Sequence, residues 1–152
     1  LGDYNNSKLE LQVNASNHIV VDEKLIPSSL KEVNEQTDFR TPKLLVKDIE
    51  HPDLRDSPMH GYDMEYIFDK VDFDNPQVIL SNEKYILNIY CDTKGTIIYS
   101  DNFKNTAKFL SNSDDLRRRG IAIEPSDHHL EDHFIKANEK YVRHITYEFK
   151  KQ

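Results

Sequence analysis

One carboxylate sits in an unusual place. In GIAIEPSDHH, Gly120 to His129, the apolar residues Ile121, Ala122 and Ile123 run directly into Glu124, and Pro125 follows. A carboxylate withdrawn from water holds its proton more tightly, and general acid–base catalysis needs a group whose proton affinity is set near the working pH. Glu124 is therefore a candidate proton-transfer residue. A second concentration of chemistry lies in SDHHLEDHF, Ser126 to Phe134. On a helix, His129 and His133 would share a face near Asp132, as some zinc sites require. The His-Glu-x-x-His order is absent and no paired cysteines add ligands, so an exposed polar loop is the favoured reading and no metal is expected. Four glycines, none clustered, provide no phosphate cradle.

The segments that must position these residues read as strands. KLELQVNA puts Leu9, Leu11 and Val13 on one face, and YILNIYC does the same for Tyr85, Leu87, Ile89 and Cys91. YVRHITYEF alternates with Ile145, Tyr147 and Phe149 on one side and makes a closing strand, while EYIFDKVDF and QVILS form two more, separated by Asp74, Asn75 and Pro76. The turn residues of DTKG predict a hairpin from Lys84 to Ser100. Helical signals are confined to SSLKEVNEQ, where a Ser cap precedes acidic residues, and to DNFKNTAKFLS. The loop from Glu50 to Gly61 is rich in Pro and His and long enough to be functional.

Composition narrows the function classes. A chain of 152 residues with no internal repeat or linker is long enough for one soluble domain with a real core. Its formal net charge of -7 disfavours nucleic acid as a partner, and Arg117 to Arg119 follow Asp114 and Asp115 as a solvated, locally compensated turn. No stretch approaches the roughly 20 apolar residues of a membrane helix, and the start LGDYNNSKLE has no signal-peptide pattern. The single Cys91, in an apolar run, fits a packed thiol in a reducing compartment, which favours the cytoplasm.

Several patches occur in an order that resembles the aldose 1-epimerase (galactose mutarotase) family. VDEKLIPSSLKEVNEQTDFR ends in the Asp38-Phe39-Arg40 triplet, GYDMEYIFD resembles the family's Gly-Tyr-Asp segment, and GTIIYSDNF resembles its strand leading to Tyr and Asn. GIAIEPSDHH is similar to its Gly-to-Glu strand, and NEKYVRHITYEF to its last strand. The resemblance covers nearly the whole chain but only the C-terminal half of a family member. It implies an all-β fold, an antiparallel β-sandwich of the galactose mutarotase-like supersandwich kind, of which residues 1–152 form the C-terminal portion.

The same resemblance implies chemistry at an anomeric carbon of a hexose such as galactose or glucose. In the family a Glu takes the proton of the C1 hydroxyl while a His protonates the ring oxygen; the ring opens, the C1–C2 bond rotates, and closure gives the other anomer, with no cofactor. Carried over by position, Glu124 is the base and Asp63 the ligand of a sugar hydroxyl. Arg40 is expected to pair with Asp38 rather than touch sugar, and Tyr99, Asn102 and Phe103 are candidates to line the site. The family's His has no matching position, so the catalytic imidazole is expected outside this chain, supplied by a missing N-terminal segment, with self-association the other way of covering open edges. Where the family has His-Asn after Gly-Tyr-Asp this chain has Met64-Glu65, and where many members read Thr-Gln after the Glu it has Pro125-Ser126. Near the predicted hairpin, Thr93-Lys94-Gly95 replaces the family's Gln-Pro-Gly. Two alternatives stand beside the epimerase: a glycoside hydrolase using Asp63 and Glu124 as paired carboxylates, and a noncatalytic carbohydrate-binding module.

Overall fold

The computed structural model describes residues 8–103, 117–131 and 133–152. Among these residues are ten strands and one helical turn: β1 Glu10–Val13, β2 Asn17–Val21, β3 Pro27–Glu32, β4 Lys43–Leu44, α1 Pro52–Arg55, β5 Asp63–Ile67, β6 Val78–Ser81, β7 Tyr85–Cys91, β8 Gly95–Tyr99, β9 Ala122–Ser126 and β10 Ile145–Lys151. They form two antiparallel five-stranded sheets, β10-β7-β6-β1-β4 and β3-β2-β5-β8-β9. The all-β sandwich architecture expected from the sequence is therefore present.

The core between the sheets is built by alternation. From the first sheet, Leu11 pairs with Leu80 and Val13 with Val78, and Ile89 and Cys91 extend the same buried face. From the second come Tyr66, Thr96 and Ile98, with Met64 and Ile123 packed against the cluster. Phe39 is fully buried and packs edge-on against Tyr62 and Tyr66, at ring-centroid distances of 5.2 and 6.1 Å. The two tyrosine hydroxyls donate to the carbonyls of Gln36 and Thr37, so the polar tips of buried rings fasten the loop that carries Phe39.

Two expected elements differ. β7 and β8 do not pair as a hairpin: β7 lies between β6 and β10, whereas β8 lies between β5 and β9 in the other sheet. Asp92 to Lys94 thus form a corner between sheets. Thr93 is buried there, its hydroxyl donating to Gly95 O at 3.2 Å. Gly95 comes so close to β5 that a Cβ would collide with the Tyr66 carbonyl, which fixes glycine at this corner. The segment after Pro27 is likewise no helix but the edge strand β3, paired with β2 from Asn17–Glu32 to Val21–Pro27. Ser28 donates its hydroxyl to Val20 O across the ladder instead of capping a helix. The helical turn that does form, α1, lies in the Glu50–Gly61 loop, with Pro52 in its first turn and the His51 ring accepting from Asp53 N. Most of the predicted helix in DNFKNTAKFLS falls outside the described residues.

Candidate active site

The register of the second sheet answers why an apolar strand ends on Glu124. Ile97 lies opposite both Glu65 on β5 and Glu124 on β9, and Tyr99 lies opposite both Asp63 and Ala122. Directly opposed residues of an antiparallel pair project from the same side. Asp63, Glu65, Ile97, Tyr99, Glu124 and Ser126 therefore share the outer face, while Met64, Tyr66, Ile98 and Ile123 share the inner one. Ile123 is apolar because it faces the core, and Glu124 is charged because it faces away. Pro125, which has no N–H to give a ladder, is tolerated because β9 is an edge strand of this sheet.

Both residues singled out as site candidates are thus brought to one surface, two strand spacings across the sheet and two residues along it, roughly 12 Å between their backbones. Asp63 is half-buried and Glu124 exposed, the reverse of the expectation that Glu124 would be the desolvated member. Burial, and then the Glu124 charge, push the Asp63 carboxyl above its ordinary value. Neither side chain has a hydrogen bond or ion pair among the described residues. Several carboxylates elsewhere are engaged, in loops Asp38 with Arg40, Asp48 with Lys43 and Asp69 with Ser16, and on β10 Glu148 with Lys150. Two unpartnered carboxylates on one face are available to a ligand.

A cavity of about 210 Å³ opens beside Asp63, lined by Ile19, Val21, Pro27, Glu65, Ile97 and His129 among others. Its apolar walls come from β2 and β3, its polar floor from β5. A second hollow, about 180 Å³, lies on the other side of Asp63 against Met59, Gly61 and Met64. Glu124 stands beyond the lining of both. A more open depression of about 640 Å³ runs from Ser126 along Phe134, Ile135 and Tyr141, and its charged residues include Arg143, which is bound to Asp127.

The remaining candidates fall into place individually. Arg40 forks onto Asp38 at 2.7 and 3.0 Å, a structural pair. Tyr99 is on the site face opposite Asp63. Asn102 is buried and donates to Tyr62 O at 2.8 Å, and Phe103 packs edge-on against His60, so neither belongs to the carboxylate face. Arg118 is no solvated turn residue: its side chain is 13% exposed and ties the start of β9 to His60 O and Glu50. His129 and His133 are not on a helix, and Asp132 lies outside the described residues. His129 binds Glu65 and His133 binds His128 O, and no three metal-type side chains converge among the described residues. Glu65 is not among the residues the sequence singles out for the site, and His129 is singled out there only as a zinc ligand. Position 65, two after Asp63 on a strand, was the available signal.

A family model described as aldose 1-epimerase matches residues 4–148. The chain belongs to the aldose 1-epimerase family. Among solved structures it is similar to a GalM/aldose epimerase homologue from C. elegans, with 20% identity and a TM-score of 0.75 over 99% of this chain and 48% of that one. It is also similar to a galactose 1-epimerase from Lactobacillus acidophilus, with 23% identity and a TM-score of 0.72 over 97% of this chain and 45% of that one. At such identity these likenesses establish the fold, and the chain spans about half the length of either structure. No curated protein sequence matches it.

Proposed function

We propose that this chain carries the base and a sugar-binding carboxylate of an aldose 1-epimerase acting on a hexose such as galactose or glucose. The observation that carries this reading is the pairing of unpartnered Asp63 and Glu124 on the outer face of one sheet in a member of that family. Asp63 accepts a sugar hydroxyl and holds the ring over the sheet. Glu124, freely accessible, takes the proton of the C1 hydroxyl as an acid protonates the ring oxygen, the C1–O bond breaks, and the aldehyde rotates and recloses. Each positioned proton-transfer group contributes about 10²- to 10⁴-fold in rate.

The acid is an imidazole from outside these 152 residues. β10 supports the need for further protein. Ile145, Tyr147 and Phe149 lie opposite Cys91, Ile89 and Leu87, on the core-facing side of their sheet, yet are 39%, 49% and 69% exposed. Apolar residues so exposed on an inner face favour burial by further protein, and a second copy or the other half of a family fold would serve.

Polarimetry on freshly dissolved α-galactose and α-glucose tests the assignment. The isolated chain is expected to leave the spontaneous rate unchanged, and mixing with a polypeptide that supplies the N-terminal half of a family member is expected to accelerate it. Acceleration by the chain alone would overturn the shared-site reading. Release of reducing sugar from an aryl glycoside would move the assignment to a glycosidase.

A further inference from the structure

The cavity beside Asp63 contains a polar system that the acid–base chemistry above does not use. Glu65 is only 7% exposed, and a carboxylate so far from water requires partners. It has three. The Ser126 hydroxyl donates to Oε1 at 3.0 Å, the His129 backbone N–H donates to Oε2 at 3.3 Å, and His129 Nδ1 lies 2.8 Å from Oε1. The imidazole is half-exposed, lines the cavity, and makes no hydrogen bond through Nε2 to any described residue.

Glu65 and Ser126 also belong to the two dipeptides, Met64-Glu65 and Pro125-Ser126, in which the chain departs from the pattern of the family it resembles, and they are hydrogen-bonded to each other. The two departures form one unit that ends in an imidazole. A carboxylate bound to one ring nitrogen fixes the orientation of the ring and leaves the other nitrogen for a ligand.

We propose that Glu65 orients His129 so that Nε2 takes a hydroxyl of the sugar held by Asp63, which makes His129 a specificity-determining residue and Glu65 its positioning residue. The inference rests on the reading of this face as a sugar site. The surroundings select a neutral polyhydroxyl ligand. Two carboxylates disfavour an anion, and no three metal-type side chains converge for a cation among the described residues. Ile19, Val21, Pro27 and Ile97 give the apolar wall against which the C–H face of a sugar ring packs. The volume, about 210 Å³, is below the roughly 300–1,000 Å³ of drug-sized pockets and suits a single small ring.

The test is a titration of the full chain, labelled with ¹⁵N, with D-galactose and D-glucose, following the Asp63 amide and the His129 ring nitrogens by NMR. Both are expected to move with one Kd, and the shift is expected at Nε2. Loss of one hydrogen bond predicts a Kd raised about tenfold in His129→Ala, with partial recovery in His129→Gln. In Glu65→Gln the ring is expected to lose its fixed tautomer, seen directly in the nitrogen shifts before sugar is added. Should that buried substitution unfold the chain, Ser126→Ala removes another partner of the same carboxylate and is expected to give a smaller change in the same direction. An Asp63 amide that moves while the His129 ring stays still would overturn this inference and leave the sugar site standing. Saturating hexose that moves neither would overturn both.

Discussion

The two faces of the β3-β2-β5-β8-β9 sheet are made by the same strands and follow opposite rules. Inward, Tyr66, Thr96 and Ile98 are fully buried, and the one long polar tip among them is satisfied by the Thr37 carbonyl. Outward, one residue along, stand Asp63, Glu65 and Glu124. Glu65 is satisfied by Ser126 and His129, whereas Asp63 and Glu124 have no hydrogen-bond or ion-pair partner among the described residues. The inner face is organised for its own stability and completes every polar group. The outer face leaves two without a partner among the described residues, and that separates a carboxylate open to a ligand from one already engaged.

Substitutions on the two faces should therefore separate rate from stability. In the complemented enzyme, Glu124→Gln is expected to cost about 10²- to 10⁴-fold in anomerisation rate with no fall in denaturation midpoint, because its carboxylate holds nothing in place. Phe39→Ala should do the reverse within the isolated chain, destabilising it by about 3–5 kcal/mol in denaturant titration through the cavity left between Tyr62 and Tyr66. A Glu124→Gln variant that unfolds early would break the contrast. Arg40→Ala, at the exposed neighbour of Phe39 in the family triplet, should leave the denaturation midpoint nearly unchanged, since the Arg40–Asp38 pair is solvated.

Much of this contrast was legible in the sequence. A period of two placed Leu9, Leu11 and Val13, and Ile89 and Cys91, on buried faces, and the structure agrees. Periodicity reports which side a residue takes but not which strand it pairs with, and so the Lys84–Ser100 segment read as a hairpin although its strands enter different sheets. β3 was misread for a related reason. It is a polar edge strand with no buried residue, so its serines resembled a cap until β2 was there to accept Ser28. Asp63 and Glu124 became candidates through ordered motifs. Glu65 could have been found by parity alone, but His129 reaches it from a loop, and no local spacing announces a loop contact 64 residues away.

The edge of the other sheet sharpens the comparison in a different way. Phe149 faces inward by register yet is exposed, so it behaves in this chain as an outer-face residue. Phe149→Ser is expected to change the stability of the isolated chain by under about 0.5 kcal/mol, as surface substitutions do, while weakening association with a complementary polypeptide. Sedimentation or titration of the two pieces would read that loss. Equal association by the variant and the parent chain would mean that β10 is not part of the covering surface.

The smallest effect is the most diagnostic of Asp63. Its folded-state carboxyl is raised above 3.8 by burial and by Glu124, so the folded chain binds more protons than the unfolded one just above that pH. Stability must then fall as pH rises through this window, opposite to the behaviour of a salt-bridged Asp such as Asp38, whose carboxyl the Arg40 guanidinium holds down. Asp63→Asn removes the charged form and is expected to raise the denaturation midpoint above that of the parent chain, by a margin that grows with pH across the window and vanishes below it. Glu124→Gln should shrink the same margin by removing the second cause. If Asp63→Asn instead destabilises the chain more at higher pH, the carboxylate has a partner that stabilises its charge, and it is not free to receive a sugar.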